Sequence, residues 1–171
     1  MLVDRSTLRF TTPGARALAS AAIAATIFIT SAPPTPVSAA GSIEAAQVIS
    51  IAKAQRGDPW RYGATGPYAF DCSGLVIYSY KMAGDLHLIG NGNYRSASAL
   101  YKYFRDRGRT SRTNATPGDL VVWGYGRHIG IYLGSGMAIS TLTSGVRIHS
   151  VHAVTQPFTA YLRTGIYQLS N

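Results

Sequence analysis

The order of apolar and polar positions divides the chain into a leader, a helical half and a strand-forming half. Arg5, Arg9 and Arg16 precede an apolar run from Ala17 to Ile29, and a proline-rich stretch, SAPPTPVSAA, follows. Beyond it, Ser42 can cap a helix running to Arg56, with Ile43, Ala46, Ile49, Ala52 and Lys53 near helical spacing. Gly57-Asp58-Pro59 stops that helix, and a loop rich in Gly, Pro and Tyr, WRYGATGPYAF, comes next. From Cys72 the segment CSGLVIYSYKMAG predicts a short, largely buried helix ending at Ala83-Gly84. A polar connection, NGNYRS, leads to a third helix over about 97–107. After Gly108 the pattern changes to short β-like runs at Leu120–Trp123, His128–Leu133, Met137–Thr141, Val146–His149 and Ala160–Tyr167, separated by Gly, Ser and Thr turns. Helices first and a meander of strands later predict an α+β fold, with N-terminal helices packed on a C-terminal antiparallel sheet.

The leader has the basic, apolar and small-residue order of a secretory signal peptide, with cleavage expected after Ala39. Its thirteen-residue apolar run falls short of the roughly 20 residues needed to span a bilayer. The expected division is therefore a signal peptide over 1–39 and a single domain over 40–171, with no stable membrane anchor. The leader holds no cysteine for lipid attachment and no Arg-Arg pair, which points to the general export route.

Composition narrows the chemistry. The 171 residues are 46% apolar and only 13% charged, with 18 Gly and 11 Tyr, which is unlike a disordered chain or a charge-laced coiled coil. The formal net charge is +9; without the leader, 13 basic and 6 acidic residues remain, a net +7. Glu44 is the only glutamate, so two-carboxylate glycosidase chemistry is starved of material. One cysteine excludes an internal disulfide and any multi-cysteine metal or cluster site. No metal and no cofactor are expected; His149 and His152 have the spacing of a ligand pair but no third ligand in sight.

An exported protein with one unpaired thiol is unusual, because cysteines outside the cytoplasm are generally paired. Cys72 stands where an irregular loop gives way to a helix, in Phe70-Asp71-Cys72-Ser73-Gly74-Leu75. Unpaired N–H groups and the helix dipole at that place favour thiolate and can hold an oxyanion. The plain alternative is a small apolar residue facing the core, and position alone leaves the two even. His128 opens the strand His128-Ile129-Gly130-Ile131-Tyr132-Leu133, a usual place for a catalytic base. A cysteine at a helix start followed by a histidine at a strand mouth is the layout of papain-like hydrolases.

These pieces resemble the NlpC-type cell-wall cysteine peptidases. The shared segments are Asp58-Pro59-Trp60-Arg61-Tyr62-Gly63, Phe70-Asp71-Cys72-Ser73-Gly74-Leu75-Val76, Arg95-Ser96, Pro117-Gly118-Asp119-Leu120 and His128-Ile129-Gly130-Ile131-Tyr132-Leu133-Gly134. They lie in family order across roughly residues 43–168. The resemblance implies a papain-like α+β fold and hydrolysis of peptidoglycan stem peptides, commonly between D-glutamate and a diamino acid. It implies Cys72 as nucleophile and His128 as base, with Asp71 and Ser73 flanking the nucleophile on the substrate side. Trp60, Tyr62 and Arg95 are the further substrate-binding candidates. Trp60 stands where the family usually has tyrosine, and Tyr62 lies two residues on.

The family's third catalytic position is a polar residue on the strand after the base, and twelve residues on from His128 stands Ser140. A loop Gly134-Ser135-Gly136 would pair 130 with 140 and 128 with 142, putting Ser140 on the face of His128. Serine can accept a bond from the imidazole N–H but carries no charge. His149, one strand further, is the alternative orienter.

The expected partners are stem peptides and anionic cell-wall polymers, the latter suiting the cationic run Lys102, Arg105, Arg107, Arg109 and Arg112. Interleaved aromatics in that run also fit nucleic acid, but export argues against it. A monomer is expected, secreted or in the cell wall. Two other functions fit the same residues: a related amidase or wall-targeting toxin, and a catalytically weakened wall-binding module.

Overall fold

The structure is a computed structural model and describes residues 38–166. Residues 1–37 of the expected 1–39 leader lie outside them, as do residues 167–171. Three helices, α1 (Ser38–Ala54), α2 (Cys72–Ala83) and α3 (Ala97–Arg105), precede or flank six strands. The strands are β1 (Thr110–Ser111), β2 (Leu120–Trp123), β3 (His128–Gly134), β4 (Met137–Leu142), β5 (Gly145–Ser150) and β6 (Phe158–Leu162). All pair antiparallel in one sheet of order β1-β6-β2-β3-β4-β5. The fold is α+β, helices against an antiparallel sheet. None of the described helices is long and apolar enough to cross a membrane.

The two faces of the sheet follow from the period-two alternation of its strands. Leu120, Val122, Ile129, Ile131, Ile139 and Leu162 join the main core with Ala45, Val48 and Ala52 of α1 and Leu75, Val76 and Tyr80 of α2. Their neighbours Val121, Trp123 and Ala138 point the other way and form a smaller cluster with Val151. The Pro117-Gly118-Asp119 turn before β2 packs on the main-core side, against Ala45 and Ile166. Asp119 is buried and accepts hydrogen bonds from Thr116 and from the backbone N–H of Thr164 at 2.9 Å. The Tyr80 hydroxyl donates to the carbonyl of Gly118, tying α2 to the same turn.

Several boundaries differ from the sequence expectation. Helix α1 begins at Ser38 rather than Ser42, α3 ends at Arg105, and β6 runs Phe158–Leu162 instead of reaching Tyr167. The two-residue β1 and a 3-10 turn at Leu86–Ile89 carry too few residues for a periodic signal. The β3–β4 hairpin forms with Ile131 opposite Ile139, the register expected from the Gly134-Ser135-Gly136 loop.

Candidate active site

Helix α2 starts at Cys72 because Asp71 caps it. Asp71 is extended at φ −91°, ψ 176°, and its Oδ1 accepts the N–H of Gly74 at 2.6 Å. Gly74 is required by close approach: a Cβ there would sit 2.0 Å from the carbonyl oxygen of Ala64. The preceding loop is tied to the same carboxylate, since the Gly63 N–H donates to Asp71 Oδ2 at 3.0 Å. The Asp71 N–H in turn donates to Ala64 O at 2.9 Å. The nucleophile candidate is thus held between a stapled loop and a capped helix.

Arg95 completes this corner from the segment before α3. Its Nη2 lies 2.7 Å from Asp71 Oδ2, and its Nη1 donates to Asp71 Oδ1 at 3.1 Å and to Ser73 Oγ at 2.8 Å. The Ser73 hydroxyl donates to Asp71 Oδ1 at 3.1 Å. Burial works to raise the Asp71 pKa, but Arg95 and the Gly74 N–H outweigh it and hold the carboxyl below its usual range. Asp71, Ser73 and Arg95 all line a cleft of about 410 Å³ with Cys72 and His128. Trp60 and Tyr62 form its rim, 44% and 87% exposed. Both oxygens of Asp71 are already engaged, so the carboxylate is first an anchor for α2.

His128 enters the cleft from the mouth of β3 and is only 9% exposed. Burial, with a smaller push from His149, lowers its pKa to about 4. Burial also raises the Cys72 thiol, and the Asp71 charge acts in the same direction. Hydrogen bonds from the backbone N–H groups of Ile129, Ser73 and Cys72 itself oppose this without overcoming it. The helix start was expected to favour thiolate; the enclosed position reverses that balance. Burial thus pushes both groups toward their uncharged forms.

Ser140 lies outside the cleft, behind His128, and is completely buried. Its Oγ stands 2.8 Å from His128 Nε2 and 2.8 Å from His149 Nε2. The two orienters read from the sequence as alternatives therefore stand in line. Three further groups were missed. Arg127 and Thr141 line the cleft, and Trp123 stands behind both imidazoles, 5.2 Å from the His128 ring and 5.6 Å from that of His149. The tight turn between Trp123 and His128 was the available signal, because it places them across a strand pair. Among the described residues no group of three or more His, Cys, Asp or Glu is placed to hold a metal.

A thiol at a capped helix start and an imidazole at a strand mouth, sharing one cleft on an antiparallel sheet, define an α+β domain with the layout of a thiol hydrolase. Residues 47–163 match the NlpC/P60 family, and the chain belongs to it. It is 38% identical over 104 residues to "Probable endopeptidase p60" of Listeria grayi, an alignment covering 59% of this chain and 19% of that protein. It is 35% identical over 100 residues to the murein DD-endopeptidase MepH of Escherichia coli, covering 55% of this chain and 35% of that one. The chain thus spans about a fifth to a third of these relatives' lengths. Among solved structures, the peptidoglycan hydrolase RipB of Mycobacterium tuberculosis superposes with a TM-score of 0.58 at 28% identity, over 78% of this chain and 72% of RipB. RipD of the same organism, described as a non-catalytic domain adapted to peptidoglycan binding, superposes with a TM-score of 0.57 at 26% identity, over 70% and 95%.

Proposed function

We propose that residues 40–171 form an exported cysteine endopeptidase that cleaves peptidoglycan stem peptides at the bond between D-glutamate and the diamino acid. The observation that carries this reading is the shared cleft of Cys72 and His128, with the far nitrogen of the imidazole occupied by Ser140. Residues 1–39 serve as the export leader, and the basic stretch around α3 faces anionic wall polymers.

In the mechanism that follows, the free nitrogen of His128 takes the thiol proton as Cys72 Sγ attacks the scissile carbonyl carbon. Burial that disfavours both charged forms suits a general-base step during attack. Negative charge on the former carbonyl oxygen faces the N–H groups at the start of α2. The imidazolium then gives its proton to the leaving amine as the C–N bond breaks. Water, deprotonated by the same nitrogen, hydrolyses the thioester and restores the thiol. Ser73 and the exposed part of Arg95 offer polar contacts on one side of the cleft, and Trp60 and Tyr62 offer aromatic faces on the other.

The second reading is a wall-binding module, favoured by the likeness to RipD and by the uncharged Ser140. Mass spectrometry of muropeptides digested with wild type and with Cys72→Ala separates the two. Products released by the wild type alone support the peptidase. Products from both, or from neither, overturn it.

A further inference from the structure

We propose that His149 is a positioning residue of the reaction, acting through Ser140 to select the tautomer of His128. This rests on the reading of His128 as the base. The direction of each hydrogen bond follows from the group at the end of the line. His149 Nδ1 lies 2.9 Å from the carbonyl oxygen of Ser150, which only accepts, so Nδ1 carries the proton. A neutral imidazole protonated at Nδ1 has its lone pair on Nε2, and Ser140 Oγ, 2.8 Å away, must donate to it. A hydroxyl has one proton. Toward His128 Nε2, also at 2.8 Å, Ser140 is therefore an acceptor. His128 then carries its proton on Nε2 and presents Nδ1 as the lone pair for the thiol.

Serine alone does not make this choice. Its hydroxyl rotates freely, and turned toward His128 it would donate to Nε2 and move the ring proton to Nδ1, leaving no base. His149 removes that option by drawing the hydroxyl proton to itself. Trp123 holds both rings in place, and its own Nε1 donates to Val151 O at 2.7 Å. As His128 becomes imidazolium, its Nε2–H bond strengthens, and each bond down the line polarises the next. The uncharged Ser140 is thus one link of a two-residue orienter.

The test is kinetic and spectroscopic. On one stem-peptide substrate, His149→Ala should lower kcat by threefold or more, about fivefold from one ordinary hydrogen bond, with KM unchanged. His149→Gln, whose amide oxygen can accept from Ser140, should recover most of the loss. Ser140→Ala should cost at least as much, and the double variant no more than Ser140→Ala alone. A kcat loss below threefold, no recovery with glutamine, or losses that multiply would overturn the proposal. Independently of activity, nitrogen NMR of histidine-labelled protein should find His128 protonated at Nε2 and His149 at Nδ1. The opposite tautomer at either ring overturns it. If hydrolysis survives Cys72→Ala, the peptidase reading fails, while the NMR result still decides the wiring.

Discussion

Trp123 lies directly across the β2–β3 pair from His128, and its indole stands 5.2 Å from the imidazole on the sheet face away from the main core. The face that carries His128 is therefore backed by an aromatic wall. The same indole reaches His149, so one side chain sets the environment of both rings. Trp123→Phe should fold but lose 1–3 kcal/mol, roughly, from missing volume and an unpaired Val151 carbonyl. Urea denaturation measures it; an unchanged midpoint would show that Trp123 does not hold this cluster.

Burial of His128 makes stability depend on pH. Its folded-state pKa, about 4, lies below the ordinary imidazole value of 6.5, so the unfolded chain binds more protons between these limits. Stability is full above pH 6.5 and falls as the pH drops toward 4, by about 3 kcal/mol at most. In His128→Gln this part of the slope should vanish while the acid loss at lower pH, from Asp71, remains. Denaturation midpoints at pH 4.5, 5.5 and 7 give the comparison.

Cys72 should be a slow thiol at rest. Its raised pKa leaves little thiolate at pH 7, so alkylation by iodoacetamide should be slower than for a free cysteine and rise steeply above pH 9. A fast, pH-independent reaction near neutrality would instead reveal a preformed thiolate–imidazolium pair.

Asp71 anchors the helix that begins at Cys72, and its loss should show first as instability. Asp71→Ala removes the cap of α2 and the partner of Arg95, for a cost of about 1–2 kcal/mol, with part of the Arg95 contribution screened by solvent. Gly74→Ala, one turn into the helix, should be worse, because the added carbon meets the Ala64 carbonyl. Thermal melts of the two variants rank them; equal melts would mean the loop yields easily.

Much of this arrangement is legible in the residues. The stop at Gly57-Asp58-Pro59, the helix from Cys72 and the hairpin over Gly134-Ser135-Gly136 are local signals, and the structure forms each close to its expected place. Cys72 and His128 stood out because each opens an element. What the sequence hid depends on contacts across the sheet. The thiol's protonation followed burial that no local motif records. Ser140 and His149 looked like rivals because hairpin register relates two strands, whereas their line crosses three. Strand β1 was missed because its two residues are defined only by pairing with β6.

The carbonyl that fixes His149 belongs to the outer edge of the sheet. In β5, Val146 turns its N–H and C=O outward to Asp58 and Gly57, at 2.9 and 3.0 Å, and by alternation Ser150 also turns outward. The Gly57–Asp58 segment blocks the beginning of this edge, and among the described residues no further strand pairs with β5. The Ala153 N–H also donates to the Ser150 carbonyl, at 3.0 Å, so with His149 both lone pairs of that oxygen are taken. The turn that closes this end of β5 and the acceptor that orients His149 are therefore one and the same backbone group.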